Sequence, residues 1–313
     1  MQDFINALPG AASQGLIWGI MAIGVYLTYK ILDIADLTVD GSFCTGAAVF
    51  VMLFSAGWNI WLATLLAAAA GILAGLVTGL LHTLCGIPAI LAGILTQLGL
   101  WSVNLAVMAM KANVSINVID AKTLDKLMVS LRFVQDVAKG SRPFWRHPIF
   151  VVGIFTLVLI ALLYWFFGTE LGCALRATGS NGSMARAQGI NTNFGKVLGL
   201  MLSNGLVALS GALLAQYQSY ADINMGRGAI VIGLASVIIG EVLFSRIFRN
   251  FGLKLFAVSI GAVIYYIVIQ AVLSMGLNSN YLKLLSAAVV ALFLSVPYWK
   301  NRYFAKPVKK GAN

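Results

Sequence analysis

The sequence predicts an all-α fold, a polytopic transmembrane helical bundle that forms one domain over residues 1–313. The chain is 60% hydrophobic and only 10% charged, with mean hydropathy +0.91. Soluble proteins contain about 45–50% apolar and about 25% charged residues. Apolar segments of roughly 20 residues, the length that crosses a bilayer as a helix, also recur along the whole chain. Both observations argue against the alternative, a soluble helical protein with a large core.

The apolar segments define about nine candidate spans: 13–30, 41–56, 60–82, 88–110, 148–168, 195–217, 228–245, 253–274 and 281–298. An odd number of crossings places the two ends of the chain on opposite sides of the membrane. The basic tail, typical of a cytoplasmic anchor against anionic lipid, includes Lys300, Arg302, Lys306, Lys309 and Lys310. We therefore expect a plasma-membrane protein with its N-terminus outside and its C-terminus in the cytoplasm.

Several functional classes are disfavoured by composition. The net charge of +11 is concentrated in loops and tail, which indicates contact with lipid and no binding of nucleic acid. His82 and His147 have no Cys or carboxylate at ligand spacing, so we expect no metal site. No G-x-x-x-x-G-K-[ST] motif occurs, so the chain is not expected to bind ATP by itself. We also expect no secretory signal and no catalytic residue, and packing roles for Cys44, Cys85 and Cys173.

Residues 111–147 would lie outside the cell in this topology, although they carry several Lys and Arg residues. Apolar residues recur there at helical spacing, and Gly140 supplies a stop signal; these residues are Leu124, Leu127, Met128, Leu131 and Val134. The spacing predicts one amphipathic helix along the surface. It would serve as a docking ledge or as a cap on the bundle.

The chain contains an internal similarity at an offset of 186 residues. Residues 35–39 read ADLTV and residues 221–225 read ADINM. In the predicted topology the span before the first copy runs inward and the span before the second runs outward. This is typical of an inverted repeat, in which the transport pathway lies between the halves. We place repeat one at about 13–110 and repeat two at about 195–298, with chance similarity as the alternative.

Polar residues within or beside the spans are the candidates for a substrate pathway, since ionisable groups at membrane depth default to functional hypotheses. The candidates are Asp36, Thr38, Ser42, Thr96, Gln97, Asn104, Asp222, Asn224 and Glu241. Several precede Gly41, Gly226 or Gly228, where a helix could break and present free backbone N–H groups to a solute. Helix capping at the membrane boundary is an equal alternative for the neighbouring residues Asp33, Asp40 and Arg227.

Four stretches of the chain resemble one family. They read ADLTVDGS, GLLHTLCGIPAILAGILTQLGL, GTELGCALRATGSNGSMARAQGIN and INMGRGAIVIGLASVIIGEVLF. In this order they resemble the permease subunits of ABC importers of the branched-chain amino acid and ribose type. The third stretch is the most specific. The nearest subgroup is the one associated with tryptophan or tyrosine uptake, which implies an amino acid as the solute.

The resemblance implies a homodimer of permeases with two cytoplasmic ATPase subunits, which bind ATP and Mg, and an external substrate-binding protein. It also implies that the loop 169–194 holds the coupling helix that contacts the ATPase. The residues themselves agree, because Ser180, Asn181 or Ser183 can cap a short helix and Gly189 can end it. The coupling candidates are Asn181, Ser183, Met184, Arg186, Ala187, Gly189 and Ile190.

Two other functions remain open. An ATP-independent secondary transporter or channel would also contain an inverted repeat, and only the coupling loop argues against it. A membrane-embedded enzyme fits least, because nucleophile and metal constellations are missing.

Overall fold

The structure is a computed structural model that describes residues 2–116, 121–138, 143–244, 248, 250–274, 284, 286–293 and 295. Part of the ninth predicted span, the stop signal Gly140 and the basic tail lie outside these residues. In its first half the chain forms α1 (Gln2–Tyr26), a π-helical turn (Leu27–Ile31), α2 (Val39–Ser55), α3 (Ile60–Thr83), α4 (Ala89–Val107), β1 (Asn113–Ser115), α5 (Ala121–Lys126) and α6 (Leu131–Ala138).

The second half begins with a short 3-10 turn and continues with helices and one further strand. These are the 3-10 turn (Phe144–Arg146), α7 (Pro148–Gly168), α8 (Glu170–Ser180), α9 (Gly182–Ala187), α10 (Thr192–Gln218), β2 (Tyr220–Asp222), α11 (Ala229–Phe244) and α12 (Phe251–Ser274). The prediction of an all-α polytopic bundle is confirmed.

Within the described ranges, six helices are long and apolar enough to cross a membrane: Ala7–Ile31, Ile60–Thr83, Ala89–Val107, Pro148–Gly168, Thr192–Gln218 and Phe251–Ser274. α2 and α11 are apolar but shorter. These eight helices coincide with the first eight predicted spans to within a few residues, apart from an earlier start to the first. The apolar windows of α1 and α10 are 78% and 72% buried, against 22% for α4 and 28% for α7. α1 and α10 are therefore the centre of the bundle.

α1 and α10 pack against each other in antiparallel orientation. Ser203 donates its hydroxyl to the carbonyl of Gly24, and Ser210 donates to the carbonyl of Ile17, each at 2.7 Å. Residue 17 of α1 pairs with residue 210 of α10, and residue 24 pairs with residue 203, so the residue numbers run in opposite directions along the two helices. Both serines are fully buried, and these bonds satisfy hydroxyl groups that have no water to bind.

The helices that flank this pair pack on it through small residues. Gly71 and Gly75 of α3 lie directly on the backbone of α10. In the same way, Gly15 and Gly19 of α1 lie on the backbone of α12. Small residues let helix backbones approach closely where lipid supplies no hydrophobic driving force. At the offset of 186 residues, α1 of the first half corresponds to α10 of the second half, and α3 corresponds to α12. The third helix of each half therefore packs on the first helix of the other half: α3 on α10, and α12 on α1. This exchange supports the predicted repeat, which stays a prediction.

One end of the bundle is covered by β1, α5 and α6, which lie between α4 and α7 in the sequence. β1 pairs antiparallel with β2, with Val114 opposite Ala221. The prediction of one continuous amphipathic helix is wrong here, because α5 and α6 are separate helices. Ser130 lies buried between them, and its hydroxyl accepts the backbone N–H of Arg132 at 3.4 Å. Serine favours such a capping role over the interior of a helix, so the chain restarts and leaves Leu131 exposed.

Candidate functional site

The first helix of the bundle breaks after the π-helical turn, and the chain stays non-helical until α2 begins at Val39. Asp33 has a φ angle of +55°, a left-handed conformation that Asp tolerates better than most residues. The backbone N–H of Ile34 donates to the carbonyl of Thr28 at 3.0 Å, which closes the turn. Asp36 then enters the core with 3% of its surface exposed.

A hydrogen-bond network around Asp36 joins the break to α2 and α10. Its Oδ1 accepts the backbone N–H of Thr38 at 2.9 Å, and its Oδ2 accepts Nδ2 of Asn204 at 2.7 Å. Ser42 donates to Oδ1 of Asn204 at 2.7 Å. All four residues are buried, and no basic side chain of the described ranges pairs with the carboxylate. Burial of a carboxyl group is costly unless hydrogen bonds satisfy it, so the cluster depends on Asn204.

A chain of threonine hydroxyls extends the network to α3 and α4. Oγ1 of Thr38 lies 2.8 Å from Oγ1 of Thr78, which donates to Oγ1 of Thr96 at 2.9 Å. Thr96 in turn donates to the carbonyl of Ala92 at 3.0 Å. The structure thus brings the predicted residues Asp36, Thr38, Ser42 and Thr96 into one buried polar cluster.

Asp40 caps a helix that is distant in the sequence. Its Oδ2 accepts the backbone N–H of Gly228 at 2.9 Å, and its Oδ1 accepts that of Ile230 at 3.0 Å. A carboxylate at this position satisfies orphan donors of α11 and complements its dipole. The prediction of free N–H groups at this break is therefore wrong for Gly228 and Ile230. The alternative of a capping role holds for Asp40, although the helix capped belongs to the other half of the chain.

Asp222, at the position that matches Asp36, makes the same turn. Its Oδ1 accepts the backbone N–H of Asn224 at 2.7 Å, as Asp36 accepts that of Thr38. The surroundings differ, because Asp222 is half-buried at the end of β2 and Asn224 is exposed. These two residues therefore lie outside the buried cluster, at the end of the bundle covered by the strands.

Gln97 and Asn104 line a small cavity of about 200 Å³. It lies between α2, α4 and the segment that follows β2, and Asp40 and Arg227 also line it. Asn104 is 1% exposed and donates from Nδ2 to the carbonyl of Gly41 at 3.3 Å, while its Oδ1 has no hydrogen-bond partner. The cavity thus combines charged, amide and apolar groups beside the start of α2.

Glu241 is separate from the other pathway candidates. It lies on the last turns of α11 and forms an ion pair with Lys30, with Nζ and Oε1 3.2 Å apart. Both side chains are more than a third exposed. Exposed ion pairs contribute about 0–1 kcal/mol, so this contact is a weak link between α11 and the end of α1.

At the end of the bundle opposite the strands, α9 is a short helix with both ends capped. Oδ1 of Asn181 accepts the backbone N–H of Met184 at 3.0 Å and the hydroxyl of Ser183 at 2.7 Å. Gly189 has a φ angle of +81°, and its N–H and that of Ile190 donate to the carbonyls of Arg186 and Ala185. This pair of bonds is a Schellman motif, which requires a left-handed residue at Gly189.

The side chains of α9 divide into an anchored side and an exposed side. Ala185 is buried, whereas Met184 is 62% exposed and Arg186 and Ala187 are exposed. Ile190 is half-buried and lines a cavity of about 630 Å³ between α8 and α10. α8 in turn packs through Gly179 on the backbone at the end of the π-helical turn. α9 is therefore connected through α8 to the break in the first helix, and a force on α9 can be transmitted along these packing contacts.

Residues 8–294 match the family model described as branched-chain amino acid transport system, permease component. The chain belongs to this permease family. It is a multi-pass membrane protein of the ABC permease class, and its predicted identification is confirmed.

The permease is similar in sequence to proteins from several bacteria, and their names indicate different solutes or none. It is 40% identical to a tyrosine transport system permease protein of Clostridioides difficile, over 93% of this chain and 91% of that protein. It is 34% identical to an uncharacterized protein of Rickettsia prowazekii, over 93% and 98% of the two chains. It is 26% identical to an autoinducer 2 import system permease protein of Salmonella typhimurium, over 76% and 63%.

A solved structure has a similar fold. PsaBC from Streptococcus pneumoniae in complex with Fab aligns with a TM-score of 0.54 over 97% of this chain and 98% of that chain. The two sequences are 17% identical, so the likeness concerns the fold alone.

Sequence reasoning missed two residues that organise the permease core. Asn204 lies in an Ala- and Gly-rich helix, and Thr78 lies in a long apolar one. An amide in the middle of such a helix is itself a signal, because a polar group there needs a partner. The identity of that partner, 168 positions away in the case of Asp36, was not visible in the sequence.

Proposed function

We propose that the permease is the membrane subunit of an ATP-driven importer for an amino acid, in the aromatic class. Two copies would combine with two cytoplasmic ATPase subunits, which carry ATP and Mg, and with an external substrate-binding protein. Family membership and the 40% identity to a tyrosine transport system permease support this proposal.

The geometry of α9 is the observation that carries the proposal. A helix of six residues is too short to be stable alone, yet Asn181 and Gly189 cap both its ends. It presents Met184, Arg186 and Ala187 outward, which gives an ATPase an apolar contact beside a positive charge. A capped helix moves as one body, so it can transmit the motion of a partner to α8 and α10.

We place α9 in the cytoplasm and the segment 111–147 outside. The described parts of the two lie at opposite ends of the bundle, because a single predicted span, 148–168, separates them. A cysteine introduced near Lys126 should react with impermeant thiol reagents in intact cells, and one near Gly182 should not. Labelling of the second site from outside would reverse the orientation.

We propose that the solute passes between the two halves, beside the cluster around Asp36. The inverted repeat would place the breaks before α2 and α11 at similar depth, and the cap that Asp40 forms on α11 supports this placement. Thr38, Ser42 and Thr96 would then rearrange with the hydrogen-bond network, while Asp222 and Asn224 lie nearer the external end. Glu241, held by Lys30, would lie near the cytoplasmic exit.

The test replaces both Met184 and Ala187 by aspartate. Two charges buried at a protein contact cost a few kcal/mol, so we expect the variant to reach the membrane, lose the ATPase or uncouple from it, and stop uptake. Asn193→Asp is the matched control, because Asn193 is also exposed but lies in the first turn of α10. Co-purification of the ATPase and ATP-dependent uptake in proteoliposomes are measured.

Normal coupling in the double variant would reduce α9 to a surface connection. Uptake that persists in proteoliposomes without any ATPase would favour the alternative function, an ATP-independent transporter or channel.

A further inference from the structure

A groove on the outside of the bundle runs along α7 and α12, at the end where α9 lies. It consists of two adjoining cavities, of about 520 and about 460 Å³, which share Tyr164 and Asn250 in their walls. The first cavity lies beside the end of α7, and the second lies between α7 and the first turns of α12. Each falls within the roughly 300–1,000 Å³ of sites for small ligands. Together they form one elongated groove, which we call the α7–α12 groove.

The end of the groove beside α8 holds a positive charge in a fixed place. Arg176 is exposed, and its Nη2 donates to the backbone carbonyl of Phe167 and, at 3.5 Å, to Sγ of Cys173. Its guanidinium carbon also lies 5.7 Å from the ring centroid of Phe251. These contacts hold the guanidinium group at the level where α7 ends. Nε and Nη1 form no hydrogen bond or ion pair with a described residue, so they can donate to an acceptor in the groove.

The other end of the groove is apolar and lies deeper in the membrane. Its walls include Leu157, Leu253 and Phe256, which are 54%, 41% and 36% exposed. Exposed Tyr164 and Trp165, in the last turn of α7, are of the residue types that collect at the boundary between membrane and water. Leu157 lies seven residues before Tyr164, about 10 Å further along the helix. The groove therefore extends from the membrane surface into the hydrocarbon region.

Neither the described part of the ninth predicted span nor an acidic side chain occupies the groove. Val289 and Val290 of that span pack with Tyr265, which follows Phe256 by nine residues and so lies on the opposite face of α12, about 180° away. No Asp or Glu is among the described residues that line the groove, and Lys254 in the first turn of α12 is exposed. The groove thus offers positive charge at the membrane surface and apolar walls below it.

We propose that the α7–α12 groove is a binding site for an anionic phospholipid, with the lipid phosphate on Arg176 and an acyl chain between α7 and α12. Basic pockets between transmembrane helices bind anionic headgroups in this way. A zwitterionic headgroup would bring its ammonium group to Arg176 and Lys254, where no described acidic group lines the groove to pair with it, and it should bind more weakly. The inference concerns lipid alone and does not depend on the solute or on ATP.

The experiment measures the Kd of lipid binding by native mass spectrometry of the purified full-length permease in detergent. Phosphatidylglycerol is the probe, and phosphatidylethanolamine with the same acyl chains tests the preference for an anionic headgroup. Diacylglycerol lacks the phosphate, and glycerol 3-phosphate lacks the chains. We expect saturable binding of phosphatidylglycerol, weaker binding of phosphatidylethanolamine, and no saturable binding of the last two compounds.

Two variants test the two ends of the groove separately. Arg176→Gln removes the charge and should raise the Kd for phosphatidylglycerol about tenfold, the lower limit for hydrogen bonds to charged groups. Ala161→Trp changes no charge but fills the apolar cavity, in whose wall Ala161 lies exposed, and should weaken binding as well. Arg146→Gln is the matched control and should leave the Kd unchanged. Arg146 precedes the other end of α7, beside the exposed Trp145, and lines neither cavity.

The melting temperature without added lipid checks that each variant is folded, and Arg176→Lys, which keeps the charge, should regain part of the preference for phosphatidylglycerol. Equal Kd values in the unmodified chain, Arg176→Gln and Ala161→Trp would overturn the inference, and so would equal binding of phosphatidylglycerol and diacylglycerol. If Ala161→Trp instead converted a dimer to monomers while lipid binding persisted, the groove would be an interface between copies of the chain, and the inference would be wrong.

Discussion

Replacing Asn204 by leucine should destabilise the bundle far more than the loss of an ordinary interhelical hydrogen bond. The change removes the donor to Oδ2 of Asp36 and the acceptor for the hydroxyl of Ser42, both at 2.7 Å. Hydrogen bonds to charged groups contribute about 1.5–3 kcal/mol, and an unsatisfied buried group costs about 1–3 kcal/mol. Allowing about 0.6 kcal/mol for the better helix propensity of leucine, we expect a loss of roughly 2–5 kcal/mol.

Ser210→Ala provides the matched control on the same helix. Ser210 is fully buried and donates to a backbone carbonyl of α1 at 2.7 Å, but no carboxylate takes part. Neutral interhelical bonds in membranes average about 0.6 kcal/mol in double-mutant cycles, so this loss should be several times smaller. Reversible unfolding in mixed micelles with increasing dodecyl sulfate measures both free energies of unfolding. Equal losses in the two variants would refute the reasoning that Asp36 makes Asn204 special.

Three further predictions concern packing, the hydroxyl chain and pH. Gly75→Ala should lower the melting temperature of the purified permease, because a Cβ at residue 75 would meet the backbone of α10. Gly99→Ala is the control: residue 99 has open space around it, so this change should leave the melting temperature unchanged or raise it. Thr78→Val keeps the shape but breaks both hydroxyl contacts, and should cost about 1 kcal/mol in the same unfolding assay; no loss would mean that the chain is not stabilising. Burial lowers the pKa of His147, whose Nδ1 accepts the N–H of Ile149 at 3.2 Å, so the neutral imidazole is favoured in the folded state. The stability that the neutral imidazole contributes is present above the ordinary pKa of 6.5 and is lost as the pH falls below it. The melting temperature should therefore decline between pH 7.5 and pH 5.5. The decline should be smaller in His147→Asn, which retains a capping side chain.

The helices of the permease were predictable because their signals are local. An apolar run of sufficient length predicts a span, and eight apolar helices of the described ranges follow those runs, six of them long enough to cross a membrane. The cap of α9 was equally readable, since Asn181 and Gly189 act through the conformation of their own segment. The break between α5 and α6 was missed because the apolar spacing continues across Ser130, whose burial depends on tertiary packing.

The candidate site was predictable in composition and not in arrangement. Asp36, Thr38, Ser42 and Thr96 were identified as polar groups at membrane depth, and they do lie in one cluster. The hydrogen-bond donor to the Oδ2 of Asp36 comes from α10, 168 positions later in the sequence. This contact depends on how α10 packs in the bundle, and the residues around Asp36 carry no local signal for it. Glu241 has the same polar signal, yet its position on α11 places it beside Lys30.

The antiparallel contact of α1 with α10 has a consequence for biosynthesis. The carbonyls of Ile17 and Gly24 receive their hydroxyl donors from residues that are made 179 or more positions later. At a synthesis rate of about 5–20 residues per second, this separation is on the order of 10–40 s. During that interval the face of α1 that later contacts α10 is covered by lipid or by the insertion machinery. The nascent first half is therefore an open, incomplete bundle, and it closes only after the ribosome has produced α10.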